Sequence, residues 1–205
     1  MAMAKYIKIY LVRHGETRCN VKKIHQGERA IRLNAVGRKQ AEKAAKFFKN
    51  IPFDIVYCSP ILRTVQTARI ILNRHSPAML IKRPELKERK IGELAGLTHR
   101  QLCKRIPDVE DQWKRDGIDW HPPGGGETLR KFFTRAYAGF IELIKRHKPG
   151  DTILMVTHGG IIKCLLLKFK KLGPEQYLTT KTPDNCIIIE VLWNKKLKRV
   201  RHAMK

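Results

Sequence analysis

The stretch Leu11-Val12-Arg13-His14-Gly15-Glu16-Thr17 decides the fold of this chain. It closes an apolar run that starts near Tyr6 and is too short for a helix of ordinary length. The β-branched, aromatic and aliphatic residues of that run predict a buried β-strand, which Gly15 ends. The strand therefore delivers Arg13 and His14 to its carboxyl end.

An imidazole beside a guanidinium suits chemistry on a phosphoryl group. A neutral histidine nitrogen is a good nucleophile, and a planar guanidinium holds two phosphate oxygens at once. An Arg-His pair by itself is more typical of a histidine that bonds a backbone carbonyl at a strand end. Residues further along the chain are needed to distinguish these two interpretations.

Length and composition predict a folded globular protein. The chain has 205 residues, of which 42% are hydrophobic and 30% charged, which suits a single domain over residues 1–205. Proline and glycine are frequent at about 76–126, where we predict an insertion that reads the substrate. No apolar run is long enough to span a bilayer, and the first residues leave no room for a signal peptide. We therefore expect a cytoplasmic protein with no membrane contact.

Neither the cysteines nor the charge point to a special ligand. The five cysteines are scattered without zinc-ligand spacing, so we expect idle thiols, a packing role for Cys19 and no bound metal. The net charge of +25 comes from 43 Lys plus Arg against 18 Asp plus Glu. A solvated surface is the favoured explanation, followed by steering of anionic substrates. No nucleic-acid motif or long basic tail is present, so no specific nucleic acid is expected.

Apolar strands alternate with amphipathic helices along the chain, which is the pattern of an α/β sheet. The predicted strands lie at residues 6–12, 53–58 and 152–156, and a closing hairpin at 186–193 and 197–203. One predicted helix begins after Asn34, which is its N-cap. Four others cover about 61–73, 98–105, 127–147 and 161–171, and Pro60 is expected in the first turn of the helix at 61–73. Residues 18–33 are predicted to form a loop over the pocket.

The ends of three predicted strands carry cationic or nucleophilic side chains. Arg13 and His14 follow the first strand, Arg63 lies just after the second, and His158 follows the third. Strand ends of an open α/β sheet meet where ligands bind. His158 also precedes a helix N-terminus, where free backbone N–H groups favour an anion. A cationic cavity of this kind suits phosphoryl transfer.

Five short motifs in order resemble the histidine phosphatase superfamily, also called the phosphoglycerate mutase-like family. They are Leu11 to Thr17; Ser59-Pro60 with Arg63 and Gln66-Thr67-Ala68; Leu86-Lys87-Glu88 with Gly92 and Gly96; Gly125-Gly126-Glu127-Thr128; and Thr157-His158-Gly159. The resemblance covers nearly the whole chain. It implies a three-layer α/β/α fold with a mostly parallel central sheet and a helical insertion over the active site.

The resemblance also implies roles for single residues. His14 resembles the nucleophile that becomes a phosphohistidine, and Glu88 the proton donor that later activates water. Phosphate ligands are implied at Arg13, Asn20, Gln26, Arg63, His158 and Gly159. Glu85, three residues before Glu88, is the alternative acid. The implied mechanism needs no metal and no cofactor.

Departures from the family pattern bear on the reaction. The loop 26–33 lacks the acidic residue that many members have before the leucine, and residues 92–96 lack the commoner aromatic-acidic-glycine form. Phosphoglycerate mutases of the family are usually longer, follow the last histidine with Gly-Asn-Ser and carry an adjacent arginine pair. This chain has His158-Gly159-Gly160-Ile161 and only Trp113-Lys114-Arg115, which favours a phosphatase.

The favoured function is therefore a phosphomonoester hydrolase acting on a small anionic phosphorylated metabolite. A cofactor-dependent phosphoglycerate mutase is the alternative, and a non-catalytic basic protein associated with nucleic acid is a second one. Basic residues of the insertion are expected to contact a further anionic group of the substrate: Lys104, Arg105, Lys114 and Arg115. The closing strand could pair across a homodimer.

Overall fold

The computed structural model describes residues 5–73, 79–194 and 198–204. Within these residues the strands are β1 (Ile7–Arg13), β2 (Ile55–Cys58), β3 (Leu80–Lys82), β4 (Thr152–Thr157), β5 (Ile188–Trp193) and β6 (Lys198–Met204). They form one sheet in the order β3-β2-β4-β1-β5-β6. The first four strands in this order pair in parallel. β5 pairs antiparallel with β1, and β6 pairs antiparallel with β5. The predicted mostly parallel sheet and the closing hairpin are confirmed.

Helices cover both faces of this sheet. The helices are α1 (Arg18–Val21), α2 (Ala35–Phe48), α3 (Leu62–Leu72), α4 (His99–Arg105), α5 (Val109–Asp116), α6 (Leu129–Ile144) and α7 (Gly159–Phe169). Single 3-10 turns lie at Pro84–Leu86, Gly92–Leu94, Gly117–Asp119 and Pro174–Tyr177. None of the helices in the described parts of the chain is long and apolar enough to cross a membrane.

The alternation of side chains along β1 builds the two cores. Ile9 and Leu11 lie in a cluster with residues of α6 and α7, such as Phe132. Tyr10 and Val12 face the other way, into a cluster with residues of α2 and α3. Successive strand residues point to opposite faces of a sheet, so β1 is buried on both sides. The predicted three-layer α/β/α fold is confirmed.

Strand register places the site at one edge of the sheet. Arg13 of β1 lies opposite Thr157 of β4, so the next residue of each strand, His14 and His158, are neighbours. Cys58 of β2 lies opposite Val156, which brings the following Ser59 to the same edge. The parallel arrangement thus gathers three strand ends at a single place.

Several local predictions need correction. The segment 18–33 is not entirely a loop, since α1 begins it with Thr17 as the N-cap. Pro60 lies outside the first turn of α3, because Ile61 is the N-cap of that helix. Asn34 is the N-cap of α2 as predicted, and its Oδ1 accepts from the Gly37 N–H at 2.7 Å.

The predicted insertion at 76–126 contains a strand that belongs to the sheet. β3 pairs with β2 in parallel, so the extra segment begins after it. Three half-exposed residues give too little periodicity to identify a strand from sequence. Beyond β3, α4 and α5 enclose a small apolar cluster of their own, formed by Leu94, Leu102, Val109 and Trp120. Residues 76–78 of the predicted insertion, residues 195–197 of the predicted hairpin and residues 1–4 lie outside the described residues.

Candidate active site

A cavity of 270 Å³ opens at the carboxyl ends of β1 and β4. Its lining is formed by Arg13, His14, Ile24, His25, Gln26, Gly27, Arg63, Glu88, Arg89, Ile91, Gly159, Gly160, Tyr177 and Thr182. The lining combines a buried imidazole, several guanidinium groups and one carboxylate. Such a set can bind a phosphoryl group and also exchange a proton with it.

The contacts of His14 fix its tautomer. Its Nδ1 lies 2.8 Å from the backbone oxygen of Gly15, which can only accept a hydrogen bond. Its Nε2 lies 3.1 Å from Nε of Arg63, which can only donate. The proton therefore sits on Nδ1, and Nε2 carries the lone pair toward the guanidinium of Arg63. This is the form that a nucleophilic histidine requires.

The surroundings of His14 also keep it neutral. Burial, followed by the charges of Arg63 and Arg13, lowers the pKa of His14 well below its ordinary value of 6.5. The hydrogen bond to Gly15 acts in the opposite direction and is smaller. His14 thus keeps its lone pair at neutral and mildly acidic pH.

Loop carbonyls orient the guanidinium of Arg63. Arg63 is only 1% exposed, and its Nη1 and Nη2 donate to the backbone oxygens of Arg29 and Gly27 at 2.9 and 2.8 Å. Burial lowers the pKa of Arg63 to about 10, so the side chain remains cationic at neutral pH. Helix α3 supplies the arginine, and the loop that contains Gly27 and Arg29, between α1 and α2, orients its guanidinium beside His14.

His158 stands beside His14, with their ring centres 5.4 Å apart. Its Nε2 lies 2.8 Å from the Ser59 hydroxyl oxygen. Burial and then the Arg63 charge lower the pKa of His158 well below 6.5. Nδ1 of His158 and Nε of Arg13 are buried and have no hydrogen-bond partner among the described residues. Buried polar atoms without a protein partner are available to bond a ligand or an ordered water molecule.

The carboxylate of Glu88 is held at the N-terminus of α7. Its Oε2 accepts from the Gly160 N–H at 3.2 Å, and its Oε1 accepts from the Arg89 N–H at 2.9 Å. A Cβ atom at position 160 would collide with Oε1 of Glu88. Gly160 therefore lets the Glu88 side chain approach the end of α7, where the backbone N–H of Gly160 bonds it.

The structure brings most of the predicted site residues together. Arg13, His14, Gln26, Arg63, Glu88 and Gly159 line the cavity, and His158 is buried against His14. Glu85, the alternative acid, does not line it; a Cβ at Gly139 of α6 would meet the Glu85 side chain. Cys19 is buried and also lies outside the lining, as its packing role implies.

Asn20, predicted as a phosphate ligand, lies at the N-terminus of α1. Its Oδ1 accepts from the Thr17 N–H at 3.0 Å and from the Thr17 hydroxyl at 2.9 Å. The first of these bonds and the bond from the Asn20 N–H to the Thr17 hydroxyl oxygen at 3.3 Å form the capping box of α1. Asn20 is not among the residues that line the cavity.

The basic residues expected to contact the substrate also lie elsewhere. None of Lys104, Arg105, Lys114 and Arg115 lines the cavity. The last three form exposed ion pairs with Glu93, Asp111 and Asp116. The residues that the sequence missed are His25, Arg89, Tyr177 and Thr182. For Arg89 the adjacent Glu88 was a usable signal, whereas Tyr177 and Thr182 lie in a distant segment without a motif.

This fold and this site define the class of protein. Residues 9–204 match the model of the histidine phosphatase superfamily (branch 1), and the chain belongs to this family. The match covers every residue placed in the site.

Individual relatives include both phosphoglycerate mutase-like proteins and phosphatases. Phosphoglycerate mutase-like protein 4 of Arabidopsis thaliana is 34% identical over 78% of this chain and 70% of its own length. The metal-independent phosphoserine phosphatase of the same plant is 33% identical over 78% and 68%. The solved structure of α-ribazole phosphatase from Shigella flexneri superposes with a TM-score of 0.86 at 26% identity, covering 96% of this chain and 95% of that one.

Acidification is expected to destabilise the protein from about pH 6.5 downward. The unfolded chain titrates its histidines near 6.5, whereas burial keeps the pKa of His14 and His158 lower in the folded chain. The unfolded state then binds more protons, so stability that is fully present above pH 6.5 is lost as the pH falls. Each of the two histidines should lower the free energy of unfolding by up to about 1.4 kcal/mol for every pH unit below about 6.5.

Urea unfolding in phosphate-free buffer between about pH 7.5 and pH 5 measures this slope. His158→Gln removes one of the two titrating groups, so its slope should be smaller by up to about 1.4 kcal/mol per pH unit. Identical slopes for both proteins would contradict the prediction.

Proposed function

We propose that this protein is a metal-independent phosphomonoester hydrolase that acts through a phosphohistidine at His14. The observation that carries the proposal is the hydrogen bond from Arg63 Nε to Nε2 of His14, which requires a lone pair on that nitrogen. Glu88 lines the same cavity. A nucleophile, cations for the phosphoryl oxygens and one acid-base group are the parts that this reaction needs.

The first step of the proposed reaction forms the phosphoenzyme. Nε2 of His14 attacks phosphorus while the bond from phosphorus to the ester oxygen breaks. The protonated Glu88 carboxyl gives its proton to the leaving oxygen, which departs as an alcohol. Arg13 and Arg63 bind the phosphoryl oxygens, and the free Nδ1 of His158 can donate to them once it carries the proton.

The second step returns the enzyme to its starting state. Glu88, now a carboxylate, takes a proton from a water molecule, whose oxygen attacks the phosphohistidine. The bond between phosphorus and Nε2 breaks, inorganic phosphate leaves, and His14 regains its lone pair. Each atom and proton is thereby accounted for without a metal ion, in agreement with the name of the metal-independent phosphoserine phosphatase among the relatives.

The cavity favours a small anionic substrate. Its volume of 270 Å³ accommodates a phosphate and a compact leaving group. Arg89 and His25 supply further polar groups to the cavity lining, and Arg89 follows Glu88 directly in the chain. Burial lowers the pKa of Arg89, but this guanidinium stays cationic at neutral pH. A second anionic group such as a carboxylate would therefore be attracted to this part of the cavity.

Hydrolysis of an aryl phosphate by the purified protein, with a metal chelator present, tests the proposal. We expect phosphate release with full activity in chelator and, after rapid alkaline quenching, phosphate attached to His14. Phosphorylated small acids are then compared with neutral sugar phosphates as substrates.

The alternatives are separated in the same assay. Exchange of phosphate between 2,3-bisphosphoglycerate and 3-phosphoglycerate, faster than hydrolysis of either, would identify a mutase instead. Absence of all turnover, together with salt-sensitive retention of RNA, would replace the proposal with the non-catalytic role.

A further inference from the structure

A second cluster of ligating side chains lies outside the cavity, on the two helices of the insertion. His99 and Cys103 are four residues apart on α4 and therefore share one face of that helix. Glu110 reaches them from the first turn of α5. The ligating atoms of these three side chains all lie within 4.8 Å of one another.

The three separations lie within a few tenths of an ångström of the edges of a tetrahedral zinc site. Zinc bonds of about 2.0 to 2.3 Å at tetrahedral angles place neighbouring ligand atoms about 3.4 to 3.6 Å apart. Here Nε2 of His99 lies 3.0 Å from Oε1 of Glu110 and 3.6 Å from Sγ of Cys103. The third edge, from Sγ of Cys103 to Oε1 of Glu110, is 3.9 Å. Adjustments of a few tenths of an ångström along exposed side chains would complete the geometry.

We propose that His99, Cys103 and Glu110 bind one Zn²⁺, with water in the fourth position. Nitrogen, sulfur and carboxylate oxygen are the ligands that zinc takes in proteins. On binding, the Cys103 thiol releases its proton to solvent and the thiolate sulfur bonds the metal. The imidazole of His99 binds through its lone pair on Nε2, which leaves its proton on Nδ1.

The surroundings of the cluster favour a site over a chance ion pair. An ion pair between His99 and Glu110 has no use for a thiol, yet Cys103 is the one cysteine of the five that is not buried. Trp113 of α5 stacks on the His99 ring at 6.5 Å between centres and 15° between planes, which restrains the ring. The ligands also come from two helices, so the metal would bind α4 to α5.

Backbone contacts connect the proposed zinc site to the cavity. Thr98, the N-cap of α4, forms a β-bridge with Ile24, and the His25 N–H donates to the oxygen of Leu97 at 2.9 Å. Ile24 and His25 both line the cavity. Zinc at α4 and α5 would therefore stabilise the wall that faces the leaving group, without contacting the reacting atoms.

Zinc binding is measured directly on the full chain, freed of metal, by competition with a chromophoric chelator. We expect one Zn²⁺ per chain in the wild type and an affinity at least about tenfold lower in Cys103→Ser, because even partners outside the ligand shell change metal affinity by that factor. Co²⁺ should give the near-ultraviolet absorption of a cobalt-thiolate bond in the wild type and lose it in Cys103→Ser. Neither readout depends on phosphatase activity.

Matched variants make the result specific. His121→Asn and Glu93→Gln change an exposed histidine and an exposed carboxylate of the same insertion, and both should bind zinc like the wild type. Unchanged affinity and cobalt spectrum in Cys103→Ser would overturn the proposal. Binding that is lost only in His14→Ala would place the zinc in the cavity and overturn it as well.

Discussion

His14→Ala is expected to lower kcat for aryl phosphate hydrolysis by at least about 10⁴-fold, since loss of an enzyme's nucleophile is among the most damaging single changes. The bond from phosphorus to Nε2 cannot form, and the alanine methyl offers no lone pair. Arg13 and Arg63 remain in place, so the variant should still bind phosphate. Steady-state hydrolysis measures the loss of kcat, and trapping of the phosphoenzyme shows whether the bond from phosphorus to Nε2 still forms.

The control for this change is His121→Ala. His121 is an exposed histidine that does not line the cavity, and its replacement should leave kcat close to the wild-type value. Far-ultraviolet circular dichroism establishes that both variants are folded. A His14→Ala protein that retains a tenth of the wild-type kcat, or still forms a phosphoenzyme, would rule out His14 as the nucleophile.

Glu88→Gln is expected to lower kcat by about 10² to 10⁴-fold, the usual contribution of a positioned acid or base. Glutamine keeps the size of the side chain but cannot donate or accept the proton. The whole of this reduction in kcat should be observed with phenyl phosphate, because its leaving oxygen needs protonation. With 4-nitrophenyl phosphate the first step should proceed, because nitrophenolate leaves without a proton. A burst of nitrophenolate and a persistent phosphohistidine should then be observed.

Glu85→Gln is the matched control, because it makes the same carboxylate-to-amide change three residues away. Glu85 does not line the cavity, so kcat should stay near that of the wild type and no burst should appear. If Glu85→Gln shows the loss and the burst while Glu88→Gln does not, the acid-base role belongs to Glu85.

The structure explains why the local predictions succeeded to different degrees. Asn34 was identified as an N-cap because capping depends on a side chain and a backbone N–H only three residues away. The predicted role of Asn20 as a phosphate ligand rests on resemblance and stays a prediction. Its Oδ1 takes part in capping α1, and a contact of this kind with the backbone of Thr17 is as local as the one made by Asn34.

The sequence by itself predicted the central strand β1, the alternation of strands with helices, and a shared site for His14, Arg63 and Glu88, which line one cavity in the structure. These depend on periodicity and on short motifs, whose physical causes act over a few residues. Contacts between distant segments were decided only by the tertiary structure. β3 belongs to the sheet because it pairs with β2, and the backbone oxygens of Gly27 and Arg29 orient the guanidinium of Arg63. Glu110 lies beside His99 and Cys103 although it belongs to another helix. Such contacts arise from the packing of distant segments, because a side chain's partner across an interface is set by register and burial and not by its neighbours in sequence.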